Sequence, residues 1–253
     1  MNKMKTFIAL VLVCFFTITV NAQVKKPVVK KTTTTKTTVK KPAVKKTTAP
    51  VVKASKPITI PGVRVKITTD SGVMVIRLYD KTPLHRDNFI KLANAHFFDS
   101  LLFHRVISDF MIQGGDPQSK YAQPGQMLGS GDIGYTIPAE FDTSLFHKKG
   151  ALAAARTDNP AKASSGCQFY IVQGKKWTDA DLNNMEMQRG VKYSAAQRNI
   201  YKTIGGTPFL DMGYTVFGEV ESGLEVIDKI ASVPKAPGDR PIGDVRMYIE
   251  VIK

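Results

Sequence analysis

Between Gln23 and Pro57 the chain carries eleven lysines and not one acidic residue, and no other feature limits so sharply what part of it can fold. The remainder of that segment is almost entirely Thr, Val, Ala and Pro, and Lys-Lys-Pro-Val-Val-Lys-Lys-Thr-Thr at 25–33 returns as Lys-Lys-Pro-Ala-Val-Lys-Lys-Thr-Thr at 40–48. Such a repeat has no large apolar side chain to stack, so it builds no solenoid. Self-repulsion and scattered prolines favour an extended, solvated linker. At about 3.1 Å per residue in a polyproline-like state, its 35 residues reach roughly 100 Å. Most of the formal charge of +15 sits here, since residues 58–253 hold 23 basic and 21 acidic residues, a net +2. A uniformly basic domain is excluded and no specific nucleic-acid partner is expected. Any attraction to an anionic envelope surface belongs to the lysine-rich linker.

Upstream, Lys3 and Lys5 precede the apolar run Thr6 to Val20, which is short for a membrane span and ends in Val20-Asn21-Ala22, a small-residue cleavage pattern. Residues 1–22 therefore read as a signal peptide cut after Ala22, and the mature protein is expected to be exported, to the periplasm first, with secretion or association with the envelope as the alternatives. Cleavage removes Cys14 and leaves Cys167 alone, so no internal disulfide forms and Cys167 is expected to be a small core residue.

From residue 58 onward the pattern becomes one of short strands. Arg64 to Thr68 alternates, Asp70-Ser71-Gly72 is turn chemistry, and Val73 to Leu78 resumes as a hairpin partner. Thr82 stands as an N-cap before Pro83, with Phe89, Leu92 and Ala93 on one helical face. Further strands are expected at Leu101 to Ile107, Phe110 to Gln113, Ala151 to Ala155, Gln168 to Val172, Thr215 to Val220 and Val245 to Ile252, with a second helix over Gly223 to Ala231. Many short strands with two helices predict a mainly β domain, a closed barrel with helical caps. Thr178 to Ile204 is polar and helix-prone, and reads as a surface insertion.

Several familiar motifs fail. Gly129-Ser130-Gly131-Asp132-Ile133-Gly134 matches a dinucleotide fingerprint but runs into Tyr135-Thr136-Ile137-Pro138, where no helix can present its N-terminus to a pyrophosphate. No nucleophile elbow or phosphate-binding loop occurs, and His85, His96, His104 and His147 lack the close pairing of a zinc site. No cofactor and no metal are expected.

What remains is Phe103-His104-Arg105-Val106-Ile107 followed by Phe110-Met111-Ile112-Gln113-Gly114-Gly115-Asp116, then Gly166-Cys167-Gln168-Phe169-Tyr170-Ile171 and Val216-Phe217-Gly218-Glu219-Val220. With these motifs in this order, the chain over residues 62 to 253 resembles the cyclophilin family of peptidyl-prolyl isomerases. The resemblance implies an eight-stranded antiparallel barrel capped by two helices, with an outer groove that takes X-Pro segments of polypeptide chains. It further implies that Arg105 is the catalytic guanidinium and that Phe110, Met111, Tyr170 and Leu210 line the proline pocket. Gln113 and the backbone at Ala155 would hold the peptide main chain, and His104, Arg156, Gln168, Phe209 and Tyr214 would complete the groove. A monomer is expected.

The residues support this on their own terms. Isomerising an X-Pro amide means giving up resonance across the C–N bond, a barrier of about 20 kcal/mol. No nucleophile is needed; an apolar seat for the ring and a directional cation that donates to the prolyl nitrogen as its lone pair localises suffice. Arg105 suits that role because its guanidinium stays charged at any physiological pH. Taken singly, Arg105 would be a solvated strand residue, and Phe110 and Met111 would be core. His104 is expected to serve a structural hydrogen bond, since no proton moves. Tyr170 replaces the family's usual phenylalanine and its hydroxyl must find a partner. Arg156 replaces a common asparagine, and Phe209 a tryptophan, with Trp177 a competitor for that wall. Because Tyr170 and Arg156 depart from the pattern, the alternative function is a proline-peptide-binding chaperone module with weak or no isomerase activity.

Overall fold

A computed structural model of the chain describes residues 62–252; the expected signal peptide and linker lie outside the described residues. Ten strands run in chain order as β1 (Arg64–Thr69), β2 (Gly72–Leu78), β3 (Leu101–Ile107), β4 (Met111–Gly114), β5 (Thr136–Ile137), β6 (Ala151–Ala154), β7 (Ser164–Ser165), β8 (Phe169–Val172), β9 (Val216–Ser222) and β10 (Arg246–Ile252). Eight of them close into an antiparallel barrel in the order β1-β10-β3-β4-β8-β6-β9-β2, while β5 and β7 pair separately. Closure leaves the barrel without an open edge. The expected fold class is met.

Alternation explains the interior. Val65 and Ile67 on β1, and Met74, Ile76 and Leu78 on β2, are fully buried, with half-exposed or exposed residues between them. Phe169 meets Phe89, Phe98 and Phe103 edge-on at 5.3, 5.6 and 6.2 Å. Each such pair adds about 0.5–1.5 kcal/mol to the burial itself. Two cap helices, α1 (Pro83–Asn94) and α4 (Leu224–Ala231), turn Phe89, Leu92, Ala93 and Val226, Ile227, Ile230 onto this core.

Three expectations need correction. Thr82 occupies the N-cap position of α1 but its side chain makes no capping bond. The Glu140 carboxylate does that work from a distant loop, accepting from Leu84 N–H and His85 N–H at 3.0 Å each and meeting His85 Nδ1 at 2.7 Å. A full negative charge on the helix N-terminus satisfies two free N–H groups at once, which outcompetes one hydroxyl. Secondly, the 178–204 insertion is helical and mostly exposed, as expected, but it also carries a small core. Its helices α2 (Asp179–Arg189) and α3 (Ala195–Thr203), each opened by a capping box, enclose a third core of Leu182, Tyr193 and Tyr201 against Phe146 and Trp177. Its polar composition hid three deeply placed side chains. Thirdly, Phe110 precedes β4 in the turn instead of opening the strand.

The Gly129 to Gly134 loop leads into β5 and no helix, as its sequence implied. It wraps the buried Asp116 carboxylate, which accepts from Gly129 and Gly131 N–H. Gly115 makes that wrap reachable: its φ of +91° is left-handed, and a Cβ there would overlap the Cys167 carbonyl.

Candidate active site

A single irregularity in β3 creates the site. Phe103 pairs with Gly114 but Arg105 pairs with Gln113, so His104 is an extra residue in the ladder. Without the bulge, strict alternation from Leu101 and Phe103 would drive Arg105 into the core. With it, Val106 takes the core position and Arg105 turns outward. From Arg105 the pairing then runs straight across the outer face, to Gln113 on β4, Tyr170 on β8, Ala153 on β6 and Val216 on β9.

Nine of the twelve residues singled out from the sequence line one pocket of about 120 Å³: Arg105, Phe110, Met111, Gln113, Ala155, Arg156, Tyr170, Leu210 and Tyr214. That is room for several waters, enough for one small ring. Its floor and walls belong to an apolar cluster outside the barrel, with Met111, Ala153, Ala155, Tyr170 and Val216 buried and Phe110, Leu210 and Tyr214 half-buried. Arg105 stands at the mouth with 43 % of its side chain exposed, 3.6 Å from Asp239 Oδ2 and 3.5 Å from Gln113 Oε1. These are loose contacts, so the guanidinium is held near the pocket without being used up. A cavity of about 270 Å³ lies elsewhere, among Arg77, Tyr79, Lys148 and Glu219, but its charged groups neutralise one another in ion pairs.

The other three residues fall around the pocket. Phe209 packs at a tilt against Phe110, 5.6 Å between ring centroids, and is backed by Trp177 at 6.1 Å, so Phe209 forms the wall and Trp177 supports it. Gln168 receives Gln113 Nε2 at 3.0 Å and donates to the carbonyls of Gly129 and Gly131, fixing the amide that faces the groove and the wall of an adjoining cavity of about 160 Å³. His104 departs from expectation. It is 2 % exposed beneath the Gly129 loop, and neither ring nitrogen has a hydrogen-bond partner among the described residues. Burial pushes its pKa down to about 4, so it fills space as a neutral ring where a hydrogen bond had been expected. At Ala155 the N–H is already donated to Gln168 O and the carbonyl accepts from Ser165 N–H, which leaves one carbonyl lone pair for a ligand.

The family model for cyclophilin type peptidyl-prolyl cis-trans isomerase matches residues 64–251. The chain belongs to the cyclophilin-type peptidyl-prolyl cis-trans isomerases. A Staphylococcus haemolyticus peptidyl-prolyl cis-trans isomerase is 34 % identical over 184 residues, covering 72 % of this chain and 87 % of its own. A Streptococcus pyogenes bifunctional phosphatase/peptidyl-prolyl cis-trans isomerase is 37 % identical over 195 residues, covering 76 % of this chain but only 38 % of that protein. Among solved structures, a Cryptosporidium parvum cyclophilin matches with a TM-score of 0.58 at 21 % identity, covering 76 % of this chain and 99 % of that one. Its crystal structure in the presence of the dipeptide Ala-Pro matches with a TM-score of 0.54 at 21 % identity, covering 75 % and 99 %.

Two departures of this cyclophilin from the common pattern are resolved by its own contacts. Arg156 does not swing free at the groove rim: Nε–H donates to Gly213 O at 3.0 Å, and the guanidinium lies 4.7 Å from the Tyr214 ring centroid. The Tyr170 hydroxyl meets His147 Nε2 at 3.0 Å, and His147 Nδ1 meets Asp211 Oδ1 at 2.7 Å. Tyr201 of α3 donates to the other carboxylate oxygen, Oδ2, at 2.5 Å. Burial raises the Tyr170 and Tyr201 phenols well above the ordinary value, so both remain protonated donors. His147, Asp211 and Tyr201 were missed by sequence reasoning. Only the tyrosine at 170, which demanded a partner, signalled that such residues existed.

Proposed function

We propose that Arg105 is the catalytic guanidinium and that the 120 Å³ pocket behind it seats the proline ring of an X-Pro segment. The observation that carries this is the register row from Arg105 through Gln113 to Tyr170, which sets a loosely held cation at the mouth of an apolar pocket. Phe110, Met111, Tyr170 and Leu210 grip the ring, while Gln113, positioned by Gln168, and the free lone pair of Ala155 O hold the main chain on either side. His104, Arg156, Phe209 and Tyr214 shape the groove around them. As the amide twists, the prolyl nitrogen becomes a hydrogen-bond acceptor that it is not in the planar state. A donor aimed there therefore stabilises the transition state selectively. The structural relative crystallised in the presence of Ala-Pro is in keeping with a proline-containing ligand.

The reading as a non-catalytic chaperone module rested on Tyr170 and Arg156. The Tyr170 hydroxyl is satisfied by His147, and Arg156 is tied to Gly213 and Tyr214. Neither residue then gives a reason for blunted catalysis. We further propose that the enzyme acts on exported chains, on the grounds of the Lys3, Lys5 and Val20-Asn21-Ala22 pattern, with the linker attracting anionic surfaces. The test is the cis-to-trans rate of a short X-Pro peptide with wild type and Arg105→Ala in parallel. Equal rates overturn the assignment.

A further inference from the structure

The wall of the proline pocket is braced from behind by the 178–204 insertion and by Trp177, which immediately precedes it. Tyr193 donates its hydroxyl to Pro208 O at 3.0 Å, Trp177 packs edge-on against Phe209, and Tyr201 donates to Asp211. The last contact differs from the others because it continues. Asp211 Oδ1 accepts from both the backbone N–H of His147 at 2.8 Å and its Nδ1–H at 2.7 Å, and His147 Nε2 faces the Tyr170 hydroxyl. Tyr201 and His147 are 0 % exposed, Tyr170 4 % and Asp211 6 %.

We propose that Tyr201 is a positioning residue for the proline pocket, acting through Asp211 and His147 on the hydroxyl of Tyr170. This rests on the assignment of that pocket as the seat of the proline ring.

With a neutral imidazole the hydrogens along the chain have one consistent arrangement. A carboxylate only accepts, so Nδ1 of His147 carries the hydrogen. Nε2 is then the acceptor, and the Tyr170 hydroxyl donates to it. With every member shielded from water, a broken link leaves a buried polar group unpaired, which costs more than an ordinary hydrogen bond is worth. Removing the Tyr201 hydroxyl strips Oδ2 of its donor. The carboxylate then has reason to turn, and its hold on His147, and so on the ring of Tyr170, loosens. Tyr201 itself reaches no ligand, being separated from the pocket by Asp211 and His147. Because Tyr170 contacts the proline ring in both the planar and the twisted state, loss of its placement weakens uniform binding. KM is expected to rise with kcat little changed.

The experiment compares Tyr201→Phe, Tyr170→Phe and the double variant by NMR exchange measurements of kcat and KM on one X-Pro tetrapeptide. Tyr201→Phe is expected to raise KM about fivefold, the factor associated with one hydrogen bond, with kcat within about twofold. In the Tyr170→Phe background the same substitution is expected to add less than about 1.5-fold, since no hydroxyl remains to be positioned. An unchanged KM, a fall in kcat at constant KM, or equal increments in the two backgrounds overturns the proposal. A measurement on the wild type stands apart from any folding defect: ¹⁵N spectra at pH 7.5 should show His147 hydrogenated at Nδ1 and bare at Nε2, and the reverse tautomer overturns the relay. Arg105→Ala in the same assay separates the two claims. If it stays active while Tyr201→Phe raises KM, the catalytic assignment falls and the relay stands. If it is inactive while Tyr201→Phe is silent, the relay falls and the catalytic assignment stands.

Discussion

Replacing Arg105 by alanine separates catalysis from stability more cleanly than any other change in the groove. The guanidinium makes one ion pair at 3.6 Å, with both partners more than two-fifths exposed (43 % and 45 %), and one long contact to Gln113. Exposed pairs of this kind contribute about 0–1 kcal/mol, so the melting temperature should move by no more than a few degrees. The transition state loses far more. Withdrawing a charge-assisted donor aimed at an atom that accepts only when the amide is twisted costs about 3–4 kcal/mol, or roughly 10²–10³ in kcat/KM. Arg105→Lys is expected to fall between wild type and alanine, because the ammonium keeps the charge but not the directional fork of N–H groups. Rates are read by protease-free NMR exchange on an X-Pro tetrapeptide, with circular dichroism melts run alongside. Activity of Arg105→Ala within threefold of wild type, at unchanged stability, would refute the reasoning.

Other outcomes follow from individual groups. His104 titrates at about 4 in the folded protein, against about 6.5 in an unfolded chain, so the unfolded state takes the proton first. Its contribution is therefore complete above pH 6.5 and is lost as pH falls toward 4, on the order of 2–3 kcal/mol in all; His104→Asn should flatten that part of the urea-midpoint profile, and an unaltered profile counts against it. Burial also lowers His85, which adds in the same direction. Glu140→Ala leaves Leu84 N–H, His85 N–H and His85 Nδ1 without their acceptor and should cost about 1–2 kcal/mol in denaturant unfolding with kcat/KM preserved, whereas a loss below about 0.3 kcal/mol would show that Glu140 is not the cap. Deleting Gln23 to Lys56 should leave tetrapeptide turnover within about twofold and abolish low-salt retention on heparin, and co-elution of full-length and truncated protein would end the proposed tether.

The barrel was legible because its signals are local. Alternation in Val65–Ile67 and Met74–Ile76–Leu78, and an apolar stripe in α1, each report burial without reference to the rest of the chain. The signals that misled were those whose competitor lay far away. Thr82 is a sound N-cap by sequence, but Glu140, more than fifty residues on, brings a carboxylate to the same N–H groups. The insertion looked solvated because only three of its side chains, Leu182, Tyr193 and Tyr201, turn inward among many polar neighbours.

The site shows the same division, with a sharper consequence for His104. The motif singles out Arg105 and the structure sets it on the pocket's lining, yet nothing in Phe103-His104-Arg105-Val106 discloses a bulge. A regular strand would place Arg105 inside with Leu101 and Phe103. An unpaired guanidinium cannot be buried at tolerable cost, whereas a small neutral imidazole can. The extra residue must therefore be one that accepts desolvation, and His104, neutral down to about pH 4 with neither nitrogen partnered among the described residues, accepts it. Its role is then geometric. It turns the alternation by one position so that Val106 points in and Arg105 points out toward Gln113 and the pocket, which makes a buried histidine without a partner among the described residues the structural cost of turning that cation outward.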